Sequence, residues 1–143
     1  MRIDRARLNR AAFPYSCQIE TRFSDLDILG HVNNVAASAL LQEGRNRFHH
    51  HCGVLRIEDK QVVVASTLIE YADDLFHPDP VEVCTGVIEI GRSSMRLGQI
   101  GLQKGAIGIY AEVVLVARNN QGPTPLPQVW RDRLETMRLL AAG

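Results

Sequence analysis

No stretch of this sequence carries the roughly 20 consecutive apolar residues that would span a bilayer, and a membrane span is not expected. Cysteine is scarce: Cys17, Cys52 and Cys84 are widely spaced and form no C-x-x-C pair. That number and spacing fit neither a disulfide framework nor a zinc knuckle, so reduced thiols in the cytoplasm are expected. A surplus of one charge is also missing. Sixteen Lys and Arg balance sixteen Asp and Glu, without the basic excess of a protein that grips a phosphate backbone, which argues against nucleic acid as a partner. The first ten residues hold four arginines and no apolar stretch follows them, so they do not read as a secretory signal.

What is present is enough for one core. A chain of 143 residues with 45% hydrophobic and 22% charged residues fits a single domain over 1–143. Residues 15–23 are rich in strand formers and break at Ser24, Asp25 and Asp27 before Gly30, which predicts a strand followed by a loop. Val32, Val35, Ala36, Ala39, Leu40 and Phe48 then recur at helical spacing, Glu43 and Arg47 form an i,i+4 pair, and Gly53 marks the stop.

Four strand-like runs follow, near 61–71, 81–90, 93–103 and 106–118, with short links that force antiparallel neighbours. In the last run Ile107, Ile109, Ala111, Val113, Leu115 and Ala117 share one parity, which predicts a buried face. The apolar parity of the 81–90 run shifts across Gly86, which predicts a bulge or bend there. Residues 72–80 read as a proline-bearing link, 128–140 as a short C-terminal helix, and 1–13 as an N-terminal extension. The sum is an α+β arrangement: one long helix packed on a curved antiparallel five-stranded sheet. A single helix cannot cover both sheet faces, so the other face is expected to meet a partner or solvent.

The densest group of reactive residues is the run from Arg22 to Asn34, where a strand hands over to the helix. Free N–H groups and the positive dipole end of a helix start can polarise a carbonyl or hold an oxyanion. A carboxylate at Asp27, folded back by a loop through Gly30, would supply the other half of an acyl-transfer site. Read from these residues alone, capping and loop roles for the same Asp, Asn and Gly stay open. His49, His50 and His51 are adjacent on a helix and point about 100° apart, so they do not converge on a metal.

The order R-F-S-D-L-D-x-x-G-H-V-N-N, followed by a helix containing E-G-R, resembles the 4-hydroxybenzoyl-CoA thioesterase group of the hotdog superfamily. The likeness extends over about residues 14–138, with IEIGRSS at a strand junction and LPQVWRDRL near the end. The resemblance implies a hotdog fold, a sheet curved around one central helix, and an acyl-CoA thioesterase assembled as a homodimer or homotetramer with its acyl site between subunits.

It also places the catalytic carboxylate on Asp27, the backbone donor to the thioester oxygen on Asn34, and the turn that brings in the acyl group on Gly30 and His31. Asp25 becomes a loop-shaping residue. Arg92, Ser93 and Ser94 match the junction that holds CoA phosphates and pantetheine, with Arg92 the phosphate ligand. The small residues Val35 to Ala39 depart from the bulky residue that relatives carry there. Glu43 and Arg45 match a mid-helix charged pair, either a structural salt link or a catalytic one. No metal and no cofactor are called for, since CoA enters as part of the substrate. A non-catalytic acyl binding module and a hydro-lyase on the same fold are the alternatives.

Overall fold

The computed structural model describes residues 2–141. Five strands form one antiparallel sheet in the order β1-β3-β4-β5-β2: β1 is Tyr15–Ile19, β2 Gln61–Tyr71, β3 Val81–Ile90, β4 Ser94–Gln103 and β5 Ala106–Asn119. A two-residue strand, β6 at Gly122–Pro123, folds back on the end of β5. The first strand ends four residues before its expected limit at Phe23. Residues Phe23–Asp25 instead form one 3-10 turn, closed by Asp25 Oδ2 accepting from the Arg22 N–H at 2.8 Å.

The long helix α1, Asn34–Cys52, lies across the sheet. Its start is fixed by Asn33, whose Oδ1 accepts from the Ala36 N–H at 2.8 Å, and its end by Gly53 in the left-handed region with φ 72°. The buried stripe runs Ala36, Ala37, Leu40, Leu41, Gly44, Arg45, Phe48 and Cys52. Val35 and Ala39, expected on that stripe, instead face outward, Val35 being 82% exposed. The helix comes closest to the sheet at Gly44, where an added Cβ would overlap the Val83 side chain, 2.8 Å from its Cβ.

The alternation expected in β5 holds for Ile109, Ala111, Val113, Leu115 and Ala117, all buried beneath the helix, but Ile107, ahead of the register shift, is half-buried with the cluster on the other face. Each fully buried Ile, Val or Leu side chain of this kind contributes about 1.5–3 kcal/mol. The irregularity in β3 falls between Val87 and Glu89, just past Gly86. The second helix, α2, is Gln128–Glu135 and stops short of the expected 140. The chain beyond it lies along β3, with Val87 donating to Met137 O at 2.8 Å and Leu139 to Val87 O at 2.9 Å. That pairing occupies the β3 edge beyond Tyr15↔Thr85, where β1 no longer covers it.

The second face of the sheet, expected from the helix count to meet a partner or solvent, is covered in part from within the chain. Ile3, Leu8 and Phe13 of the N-terminal segment pack there against Cys84, Ile100 and Leu102. The Ile3 N–H donates to Glu70 Oε2 at 3.0 Å and Arg5 pairs with Glu70 Oε1 at 2.9 Å, tying the segment down.

Candidate active site

The run from Arg22 to Asn34 folds into a small hairpin whose base is the start of α1. Leu26 pairs with Val32, Asp27 N donates to His31 O at 2.8 Å, and Asn33 N donates to Asp25 O at 2.8 Å. Its tip is a four-residue turn closed by Gly30 N donating to Asp27 O at 3.1 Å, with Gly30 at φ +82° and open space around it. A residue with a Cβ would be strained in that left-handed conformation.

The two aspartates of this hairpin have different jobs. Asp25 is buried at 4% exposure and is tied to the Arg22 backbone and to its guanidinium at 2.9 Å. Burial alone would raise its pKa, but the hydrogen bonds and charge of Arg22 more than offset this and hold it below the usual carboxylate range. Its bonds are spent on loop shape. Asp27 is exposed, and its Oδ1 accepts two backbone N–H groups, Leu29 at 2.8 Å and His31 at 3.0 Å. Its Oδ2 makes no hydrogen bond among the described residues.

Asn34 occupies the first helical position, directly after the N-cap. Its N–H has no acceptor among the described residues, as expected for the first turn of a helix. Apolar side chains of the hairpin tip, the helix start and the segment bridged to His31 are open to solvent: Ile28 is 101% exposed, and Leu29, Val35 and Phe76 are exposed as well.

The His31 ring turns away from Asp27. Its Nδ1 lies 3.5 Å from Asp74 Oδ1, its face meets the Phe76 ring edge-on at 5.2 Å, and the Val32 N–H donates to Leu75 O at 2.8 Å. The backbone of His31, not its imidazole, therefore holds Asp27. Sequence reasoning treated 72–80 as a link and missed that Asp74 and Phe76 clamp the hairpin. Two adjacent aspartates before a proline carry no periodic signal that would have placed them there.

The second group of candidates lies elsewhere. Gly91 to Ser94 form the turn between β3 and β4, with Gly91 N donating to Ser94 O at 2.7 Å and Arg131 Nη1 donating to Gly91 O at 2.7 Å. Arg92 is exposed, while Ser93 O accepts from Ala117 N at 2.8 Å. Val81, at the opposite end of β3, is in register with Ile19, the residue that leads into the hairpin. The ten residues of β3, about 3.3 Å each along the strand, separate the end that carries the Arg92 turn from the end that pairs with Ile19, ahead of the Asp27 hairpin.

Mid-helix, the expected Glu43–Arg45 link is absent. Glu43 pairs with Arg47 at 3.0 Å, because residues four apart share a helix face, and Arg45 turns inward to donate to Gln99 Oε1 at 3.0 Å. Among the described residues no group of three His, Cys, Asp or Glu side chains is placed to hold a metal. No described helix is long and apolar enough to cross a membrane.

The profile of the thioesterase-like superfamily matches residues 21–134, most of the chain. The chain belongs to the thioesterase-like superfamily. Solved hotdog structures agree with it along nearly their whole length. The PA5185 protein of Pseudomonas aeruginosa is 27% identical, with 93% of this chain and 97% of that chain covered at a TM-score of 0.84. A Thermus thermophilus thioesterase complexed with coenzyme A and zinc is 28% identical, with 88% and 95% covered at 0.77. A predicted thioesterase of Bacillus stearothermophilus, 24% identical with 90% and 98% covered at 0.80, shares the fold. No curated protein matches the sequence. The thioesterase-like match contains Asp27, Asn34 and Arg92 alike.

One helix residue of this thioesterase-like chain carries a pH prediction. Burial first, then the charges of Arg45 and His50, hold the His49 imidazole down at about 4 from its ordinary 6.5. The folded value lies below the unfolded one, so the neutral ring's contribution is complete above about pH 6.5 and is lost as the pH falls towards about 4. That gap corresponds to about 3 kcal/mol when fully expressed. Thermal unfolding followed from pH 8 to pH 4 should show falling stability below pH 6.5, and His49→Leu should flatten the fall; an identical slope in the variant would exclude His49 as its source.

Proposed function

We propose that the protein hydrolyses an acyl-CoA thioester to a free acid and the CoA thiol, with Asp27 as nucleophile or general base and the Asn34 N–H polarising the thioester carbonyl. The observation that carries this reading is the pinned carboxylate. Oδ1 of Asp27 is fixed by two backbone donors while Oδ2 stays free, on a hairpin that runs straight into the unpaired N–H groups of a helix start. In one route Oδ2 attacks the carbonyl carbon, the Asn34 N–H stabilises the oxyanion, and loss of the CoA thiolate leaves a mixed anhydride that water cleaves. In the other, Oδ2 takes a proton from the water that attacks. Neither route needs a metal or a cofactor.

The long strand β2 is one edge of the sheet, with its outer side unpaired. Such an edge invites pairing with a second copy, which supports a homodimer as the smallest working unit. Because the Arg92 turn stands so far from Asp27 of its own chain, the Arg92 that holds CoA phosphate, together with Ser93 and Ser94, belongs to another copy. Arg92→Ala should then raise KM for acyl-CoA with little change in kcat, and steady-state kinetics showing an unchanged KM would remove Arg92 from the site. Three free cysteines fit a reducing, cytoplasmic location.

Thiol release measured over a panel of acyl-CoA compounds tests the function directly. Release for at least one acyl class supports hydrolysis. Binding of acyl-CoA without release would make the protein a binding module.

A further inference from the structure

Two cavities that share Gln42, Arg45 and Val64 form one groove between α1 and β2, of about 410 and 470 Å³. Arg45 sits where they meet and is only 7% exposed. Its Nη1 donates to Gln99 Oε1, and both amide protons of Gln99 are already used, on Leu41 O and Thr85 Oγ1, each at 3.0 Å. Gln99 is therefore locked with its oxygen towards Arg45, and Arg45 is locked in turn. A guanidinium has five N–H donors, and the other four find no acceptor among the described residues.

A buried cation without a counter-ion is costly, and the cost is relieved by an anion of matching geometry. The groove contains none of its own: among the described residues no carboxylate lines either cavity. Arg56, from the loop after α1, adds a second cation to the lining, and both ring nitrogens of the neutral His49 are buried without a partner. Opposite them stand Val62, Val64 and Leu115. One wall is cationic and the other is aliphatic.

We propose that this groove binds a carboxylate carried on an apolar body, with the carboxylate seated on the Arg45 guanidinium. Two sources share that chemistry: the far end of an acyl group whose thioester lies at Asp27, or a free carboxylic acid. The first source rests on the thioesterase reading above; the binding itself does not.

Calorimetric titration of the full chain at pH 7 uses octanoate as the probe, octanol as the same body without charge, and inorganic phosphate as charge without the body. Octanoate should bind about 10- to 100-fold more tightly than octanol, the usual scale for a hydrogen bond to a charged group, and phosphate should bind far more weakly than octanoate. Arg45→Met should abolish the advantage of octanoate. Since Arg45 is part of a buried network, Val64→Trp on the half-exposed edge strand provides a second variant that fills the groove without touching that network, compared with the parent at an equal oligomeric state by light scattering because β2 is also the proposed pairing edge. It should weaken octanoate at least about tenfold, the loss of one well-formed charged contact.

Equal binding of octanoate and octanol, or undiminished octanoate binding in a folded Arg45→Met or Val64→Trp variant, overturns the proposal. Hydrolysis of octanoyl-CoA beside its ω-carboxylated counterpart then separates the sources. A preference for the ω-carboxylated thioester assigns the groove to the acyl group, and octanoate binding without that preference assigns it to a free acid. Absence of turnover on both thioesters would count against the catalytic reading alone, while the titration still decides the groove.

Discussion

Asp27→Asn should lower kcat for thioester hydrolysis by about 100-fold or more, the usual scale for losing a positioned base or nucleophile, while the fold stays intact. Asparagine is nearly isosteric. Its amide oxygen can still accept the Leu29 and His31 N–H bonds that close the hairpin, so the loop keeps its shape. What changes is the outward-facing atom: an amide nitrogen replaces Oδ2 and can neither attack a carbonyl nor accept a proton from water. Thiol release at saturating substrate gives the rate, and thermal unfolding gives the control. Activity close to that of the parent protein would reject Asp27 as the reacting group.

The second large effect tests a backbone atom. Proline is favoured at the first position of a helix because that N–H has no intrahelical partner and its φ already suits the turn. Asn34 holds that position, and Asn33 before it is extended, with φ −73° and ψ 164°, the conformation that a following proline requires. Asn34→Pro should therefore remove one N–H with little loss of stability. If that N–H polarises the thioester, kcat should fall about 10²- to 10³-fold, the range for deleting one oxyanion donor. Asn34→Ala keeps the N–H and should remain near the parent rate. A slow alanine variant beside an active proline variant would reverse the assignment and place the role in the side chain.

The strands after the helix were legible because residues alternating along a half-buried strand leave a period of two, as in β5. The helix was legible from its spacing and from Gly53, but Val35 and Ala39 misled because small or exposed apolar residues extend a stripe without being buried. The N-terminal segment was not legible as part of the core. Ile3, Leu8 and Phe13 follow neither a period of two nor one of 3.6, and only the sheet they meet makes them a group. Arg45 was expected to pair with Glu43, since nothing local announces that Gln99, 54 residues later, will receive it. In the candidate site the Asp27 hairpin could be read from its order of residues, whereas the clamp from Asp74 and Phe76 depends on a long-range pairing that no nearby spacing encodes.

Ile3, Leu8 and Phe13 lay a strap from the same chain over part of the back of the sheet. A second sheet stacked on that patch would have to displace the strap and break the contacts of Ile3 and Arg5 with Glu70.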